Sequence, residues 1–352
     1  MFKKTKAFLS VILAGVMLSS CAAKGSSSSE DESSSKAQST TKATVTLPQD
    51  SSSAPEEDSS SEENAADSGV TPLMWKVTND EGNELILIGS MHALADECYP
   101  LPDRVMKAYE NAEVIACELD VVTAANDLAK QLEIMNESTY EDNAENIALH
   151  LSKETVDGLT GFFEAKGYSM DMLKHYKPWY LSLQCDNMIM ADCKLDSQVG
   201  LDSYILQKAH EDGKEIYEVE SYDFQMDLLM NFSDELYDLL LSEYTVENID
   251  LLKENLTKTY ELWKKGDIKE TEAYLTQADE ATYGELTDKQ KELLDEYNKV
   301  FLYDRNEGMA ENAEKLLKEH KSTFFMVGLA HFIGDGGIVD LLEKKGYTVE
   351  QI

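Results

Sequence analysis

Two apolar runs near opposite ends of the chain close on the same phrase, and this pairing limits the fold more than any other feature. Leu85-Ile86-Leu87-Ile88 runs into Gly89-Ser90-Met91-His92, and Thr323-Phe324-Phe325-Met326-Val327 runs into Gly328-Leu329-Ala330-His331. Neither run alternates with polar residues, which suits strands covered on both faces. After the first G-x-x-H come Pro100 and Pro102, a helix over Asp103–Ala112 and a second buried strand, Val114–Cys117, that stops at Glu118. After the second come Gly334-Asp335-Gly336-Gly337, a helix over Ile338–Lys345, a stop at Gly346 and a last strand over Tyr347–Val349. Strand, G-x-x-H, loop, helix, strand therefore occurs twice. Each copy reads as a βαβ unit with a right-handed crossover.

Three further features complete the outline. Trp75–Thr78, an acidic turn at Asp80-Glu81-Gly82-Asn83, and Glu84–Ile88 form a hairpin. Between the two repeats, roughly from Thr123 to Glu319, the pattern is helical, with a helix opening at Pro178, one following Gly200-Leu201-Asp202, and a short strand, Ile216–Val219, that ends at Glu220. No second Ser/Gly/Pro-rich break interrupts the body, so residues 71–352 are expected to be one α/β domain. A central mixed sheet is built from the two units, and the large helical insertion caps it.

Ligand sites in open α/β sheets gather at the carboxyl ends of strands. His92, His331, Glu118 and Glu220 all stand at such ends. Two imidazoles and a carboxylate make a ligand set for a divalent transition metal, so His92, His331 and Glu118 are the candidate metal ligands. Gly89 and Gly328 are expected to let the backbone turn sharply after each strand. Glu118 has a plainer reading as a cap for the helix near Thr123, and Glu220 is similar. His150, His175, His210 and His320 fall in polar or helical contexts and read as surface. Arg305-Asn306 opens a helix; its spacing suits a solvated face with local ion pairs, and a cleft-facing arginine would instead contact an oxyanion. H-E-x-x-H, G-x-S-x-G and P-loop motifs are absent from the sequence.

The first 70 residues have another character. Lys3, Lys4 and Lys6 precede the apolar run Ala7–Leu18, which is shorter than the ~20 residues a spanning helix needs. Leu18-Ser19-Ser20-Cys21 looks like a lipobox. Residues 1–20 are then a lipoprotein signal peptide, and Cys21 carries lipid that holds the chain on the extracellular face of the cell membrane. Residues 22–70 lack aromatic side chains and are rich in Ser, Glu and Asp, so they cannot offset their ordering entropy by burial. About 50 such residues reach roughly 40 Å on average.

The formal charge is −37, and the tether accounts for little of it, with ten acids against three lysines. An acidic surface of this size repels nucleic acid and anionic headgroups, so membrane contact is expected through the lipid anchor alone. Partners are peptides or small molecules. Cys98, Cys117, Cys185 and Cys193 make no C-x-x-C pair and read mainly as buried thiols, although a Cys185–Cys193 bridge stays open.

These residues resemble the TraB/GumN family, which includes the animal Tiki proteins. The carriers are Leu87 to His92, Glu118, Gly200-Leu201-Asp202 with Gly213-Lys214, Glu220 with Gln225, Arg305-Asn306, and Val327 to His331 with Gly336-Gly337. Leu329-Ala330 departs from the Ala-Gly common before the second histidine, and Phe332 from a common Leu. The resemblance implies a fold related to erythromycin esterase and the haem-binding ChaN proteins, and a metal-dependent, protease-like activity using manganese or cobalt, with zinc a further option. It also implies that His92, His331, Glu118 and Arg305 belong to the site. The expected function is a metal-dependent peptidase-like hydrolase in which Glu118 or Glu220 is general base and Arg305 steadies the oxyanion. The alternative is a non-catalytic surface lipoprotein that binds a metal, haem or a peptide.

Overall fold

A computed structural model describes residues 68–283 and 286–352, with side chains described outside 276–285. Signal peptide, lipobox and Cys21, and nearly all of the tether, lie outside the described residues. Six strands form one mixed sheet: β1 (Met74–Thr78), β2 (Glu84–Ser90), β3 (Val114–Cys117), β4 (Glu215–Glu218), β5 (Ser322–Gly328) and β6 (Val349–Gln351). Their order is β4-β3-β5-β2-β1-β6. The pairs β4–β3, β3–β5 and β5–β2 are parallel, and β1 is antiparallel to both of its neighbours.

The hairpin turn is closed locally. Asn79 Oδ1 accepts from the Glu81 and Asn83 amides, and Gly82 supplies the left-handed residue at φ 79°. Both repeats lead from one strand to another pointing the same way, yet in neither case to a neighbour. β5 separates β2 from β3, and β2 and β1 separate β5 from β6. The continuous apolar runs take the centre: every residue of β3 is buried, as is β5 after its first residue, whereas the edge strand β4 is half exposed. Layers of helices cover the sheet. Helix Asp103–Asn111 contacts β5, and helix Asp304–Glu319 contacts β2 and β5. Trp263, on helix Ile249–Lys265, donates its indole N–H to the Gly89 carbonyl at 2.9 Å. The helical insertion is divided by β4 into a part before it and a part after it. Among the described residues no helix is long and apolar enough to cross a membrane.

Candidate functional site

The sheet order sets the four strand-end residues in a row. Glu220 follows β4, Glu118 follows β3, His331 follows β5 and His92 follows β2, all at the carboxyl ends of parallel strands. The convergence is tight at Gly328. A Cβ built on that residue would stand 3.3 Å from Glu118 Oε1, 3.4 Å from His92 Nε2 and 3.5 Å from His331 Cδ2. Its φ is −52°, which any residue adopts, so the glycine does not serve a turn; it leaves room where a Cβ would be tight against Glu118 Oε1. The same correction applies to Gly89, which has no positive φ and whose Cβ would meet the Leu329 side chain at 2.5 Å.

Each imidazole is oriented through Nδ1. His331 sits in a short 3₁₀ turn, Leu329–Phe332, and its Nδ1–H donates to Asn306 Oδ1 at 2.6 Å. Asn306 is fixed in turn, because its Nδ2 donates to the Gly336 carbonyl at 2.9 Å. His92 Nδ1–H donates to Asp202 Oδ2 at 2.7 Å. Asp202 reaches it because the helix Leu201–Asp212 begins directly on the His92 backbone. Gly200 lies so close that a Cβ there would come within 2.0 Å of the His92 carbonyl oxygen, and the Leu201 amide bonds the Met91 carbonyl at 3.1 Å. Both Nε2 atoms are thus left for chemistry.

The two rings differ electrostatically. Burial alone would lower His92, but the Asp202 carboxylate, through charge and hydrogen bond, outweighs it and raises the pKa to about 9. Burial and then the Arg305 charge hold His331 well below its ordinary value. At neutral pH one imidazole carries a proton on Nε2 and the other offers a lone pair.

Arg305 is not on a solvated face; it is 4% exposed and binds both strand-end carboxylates. Nε and Nη2 donate to Glu220 at 2.7 and 2.8 Å, Nη2 also donates to Glu118 Oε2 at 2.6 Å, and Nη1 donates to the Phe301 carbonyl at 3.2 Å. The Gln225 amide adds a bond to Glu220 at 2.8 Å. Glu118 Oε1 accepts from the Gly328 amide at 2.6 Å and lies 3.9 Å from His331 Nε2. Neither glutamate is a helix cap: the cap for helix Val121–Asn126 is Asp120, which also pairs with His210 at 2.8 Å. His150 pairs with Asp234 and Glu145, and His175 with the Glu145 carbonyl, all away from the cluster. Cys98, Cys117 and Cys185 are buried thiols, and Cys193, also a free thiol, is partly buried.

Tests of metal fit give a partial match. Imidazoles with Nδ1 tied to an oxygen acceptor and Nε2 free have the usual arrangement of metal-bound histidines. The third candidate, Glu118, accepts from Arg305 and the Gly328 amide and lies 3.9 Å from His331 Nε2; each of its oxygens keeps a second lone pair. Among the described residues no group of three or more His, Cys, Asp or Glu is placed to hold a metal ion.

Asp202 and Asn306 were not singled out as site residues by the sequence. Asp202 and Asn306 sit in motifs that carried the resemblance, but nothing in those motifs says which ring each one holds. A cavity of about 460 Å³ lined by Val122, Thr123, Asn126, Asp127 and His210 lies apart from the cluster, which is nearly sealed.

Comparisons with known proteins come from sequence. The sequence model described as "TraB/PrgY/gumN family" matches residues 73–351. Metalloprotease TIKI1 of Danio rerio is 28% identical over 190 residues, covering 49% of this chain and 38% of that protein. The Metalloprotease TIKI homolog of Nematostella vectensis is 27% identical over 191 residues, 50% of this chain and 40% of that protein. Uncharacterized protein YbaP of Escherichia coli (strain K12) is 26% identical over 150 residues, 42% of this chain and 52% of that one. The chain thus spans about half or less of the length of these relatives. No solved structure matches it.

Proposed function

Because the chain belongs to the TraB/PrgY/gumN family, we propose that it is a hydrolase of peptide or related acyl bonds, worked by His331 as base and His92 as acid. One observation carries the reading: two imidazoles share a buried point at Gly328 while their surroundings drive their protonation in opposite directions. Such a split is how acid and base roles are divided within one site. His331 Nε2 takes a proton from water as the water oxygen attacks the acyl carbon. The carbonyl electrons move onto oxygen, and the tetrahedral species collapses. The leaving amine takes the proton from His92 Nε2, and solvent returns the proton from His331 to His92. Glu118 and Glu220 hold Arg305 in this scheme, in place of the general-base role that their position at strand ends suggested. The metalloprotease names of the Tiki relatives make a divalent cation the finer question. It would have to use His92 Nε2 and His331 Nε2 with Glu118 Oε1, and no step above runs through it.

The test is cleavage of a peptide library by the purified full chain, with and without added manganese, cobalt or zinc, alongside His92→Ala and His331→Ala. Turnover lost by about 10²-fold or more in both variants is expected. A wild-type chain that cleaves nothing under any metal condition sinks the proposal. Turnover seen only with metal would replace the two-imidazole scheme by a metal-assisted one. We place the enzyme on the outer face of a cell membrane through lipid on Cys21, a reading supported by Lys3, Lys4, Lys6 and the run to Leu18. Cys21→Ser should move the protein from the membrane fraction to the soluble fraction, and unchanged partition sinks it.

A further inference from the structure

The hydrolase reading needs a donor for the oxygen that becomes negative, and His92 is already engaged in delivering its proton to the leaving amine. Arg305 commits four of its five N–H donors to Glu118, Glu220 and Phe301. Ser90 is different. Its side chain is fully buried, at 0% exposure, and its Oγ has no hydrogen-bond partner among the described residues. A buried hydroxyl left unsatisfied is costly and calls for an explanation.

The sheet register supplies one. Ser90 at the end of β2 is the lateral partner of Gly328 at the end of β5 in a parallel pair. Lateral partners project to the same face, one strand spacing of about 4.8 Å apart. The Ser90 side chain therefore leaves the sheet beside the point that Glu118 Oε1, His92 Nε2 and His331 surround. Neither imidazole bonds Ser90 Oγ, so the serine lacks the adjacent base that a covalent nucleophile requires. What remains is a rotatable O–H donor, pre-placed and unspent, at the rim of the reacting centre.

We propose that Ser90 donates this hydrogen bond to the substrate's carbonyl oxygen as it gains charge. Resting on the hydrolase reading, this makes Ser90 a substrate-contacting group whose bond strengthens in the transition state.

The experiment measures Ser90→Ala and Ser90→Cys in the full chain, by steady-state peptide hydrolysis and thermal midpoint. Expected for Ser90→Ala is a kcat lower by about 10²-fold and a KM within about 3-fold, since the bond is made in the transition state. Its thermal midpoint should be unchanged or up by about 2 °C, because no folded-state bond is lost. Ser90→Cys, a poorer donor of similar size, should fall between the two. A wild-type enzyme that cleaves peptides while Ser90→Ala keeps its kcat overturns this inference alone. So does a midpoint several degrees lower in Ser90→Ala, which would give the hydroxyl a structural bond. A wild-type chain without turnover overturns the hydrolase reading and this inference with it.

Discussion

The strand-end cluster and the helical layer both bury carboxylates, and they treat them in opposite ways. At the strand ends Glu118 and Glu220, at most 7% exposed in their side chains, share the Arg305 guanidinium. In the helical layer Asp186, on helix Pro178–Asp192, is 0% exposed; its Oδ1 accepts from the Tyr244 hydroxyl, and its Oδ2 has no partner among the described residues. With no cation beside it, burial pushes Asp186 up to about 7. Asp202 stands between these extremes, since its cation is His92, which can lose its charge. The comparison teaches that burial alone does not decide the state of an acid here; the partner does. A permanent cation, a titratable cation and a neutral hydroxyl give three answers within one domain.

Removing the permanent cation should have the largest effect. Arg305→Leu strands two buried carboxylates, and breaking a buried ion pair from one side costs about 3–5 kcal/mol. Urea unfolding should show a loss of that size, and Arg305→Lys should recover only part of it, because an ammonium cannot make the two parallel bonds to Glu220. A loss under about 1 kcal/mol for Arg305→Leu would mean that the glutamates are hydrated, and the contrast with Asp186 would disappear.

Asp186→Asn probes the other side. A carboxyl whose folded pKa is raised to about 7 from an ordinary 3.8 binds extra protons in the native state. Its contribution is fully present below the unfolded value and is lost as pH rises through about 7. The wild-type chain should therefore lose on the order of 1–4 kcal/mol of stability between about pH 4 and pH 8 from this residue. Asp186→Asn should flatten that part of the profile. Unfolding midpoints measured across the range decide it: an unchanged slope would show that the group is charged and solvated at neutral pH.

What the sequence revealed follows the same division between backbone pattern and side-chain partner. Strands with continuous apolar runs were readable, and because parallel strands end together, so was the gathering of His92, His331, Glu118 and Glu220 at strand ends; the order of the strands, and with it the row, was not. The last strand was placed two residues early. Tyr347 still belongs to the helix's closing turn, where its amide bonds the Leu342 carbonyl and Gly346 sits at φ 95°, and β6 starts at Val349. Helix Asp288–Asn298 continues through a wide turn, Lys299–Tyr303, into Asp304–Glu319. That turn aims the Phe301 carbonyl at Arg305, and sequence periodicity carries no mark of it. Arg305 looked solvated because its partners come from β3 and β4, far away in the chain. The link between Asp202 and His92 was hidden for a related reason. An acid in the first turn of a helix is common for local reasons, and the cue that matters, the contact of Gly200 with the His92 backbone, exists only after folding.

The titratable pair gives the smallest and most specific test. His92 is raised to about 9, so its proton is fully bound below the ordinary value of 6.5 and leaves as pH rises through about 9. If His92 is the acid, turnover should fall along that alkaline limb. On the acid side His331, held well below 6.5, should keep activity level until the pH drops beneath its ordinary range. Asp202→Asn removes the charge that opposes burial while keeping an oxygen in place to accept from Nδ1. The alkaline limb should then move down by about 1–2 pH units, each unit equal to about 1.4 kcal/mol, with little change at pH 6. Arg305 variants cannot produce this signature, because Arg305 lowers His92 and its loss would move the limb the other way. A limb that stays put in Asp202→Asn would show that another group supplies the proton, and the division of labour between the two imidazoles would be wrong even if both remain essential.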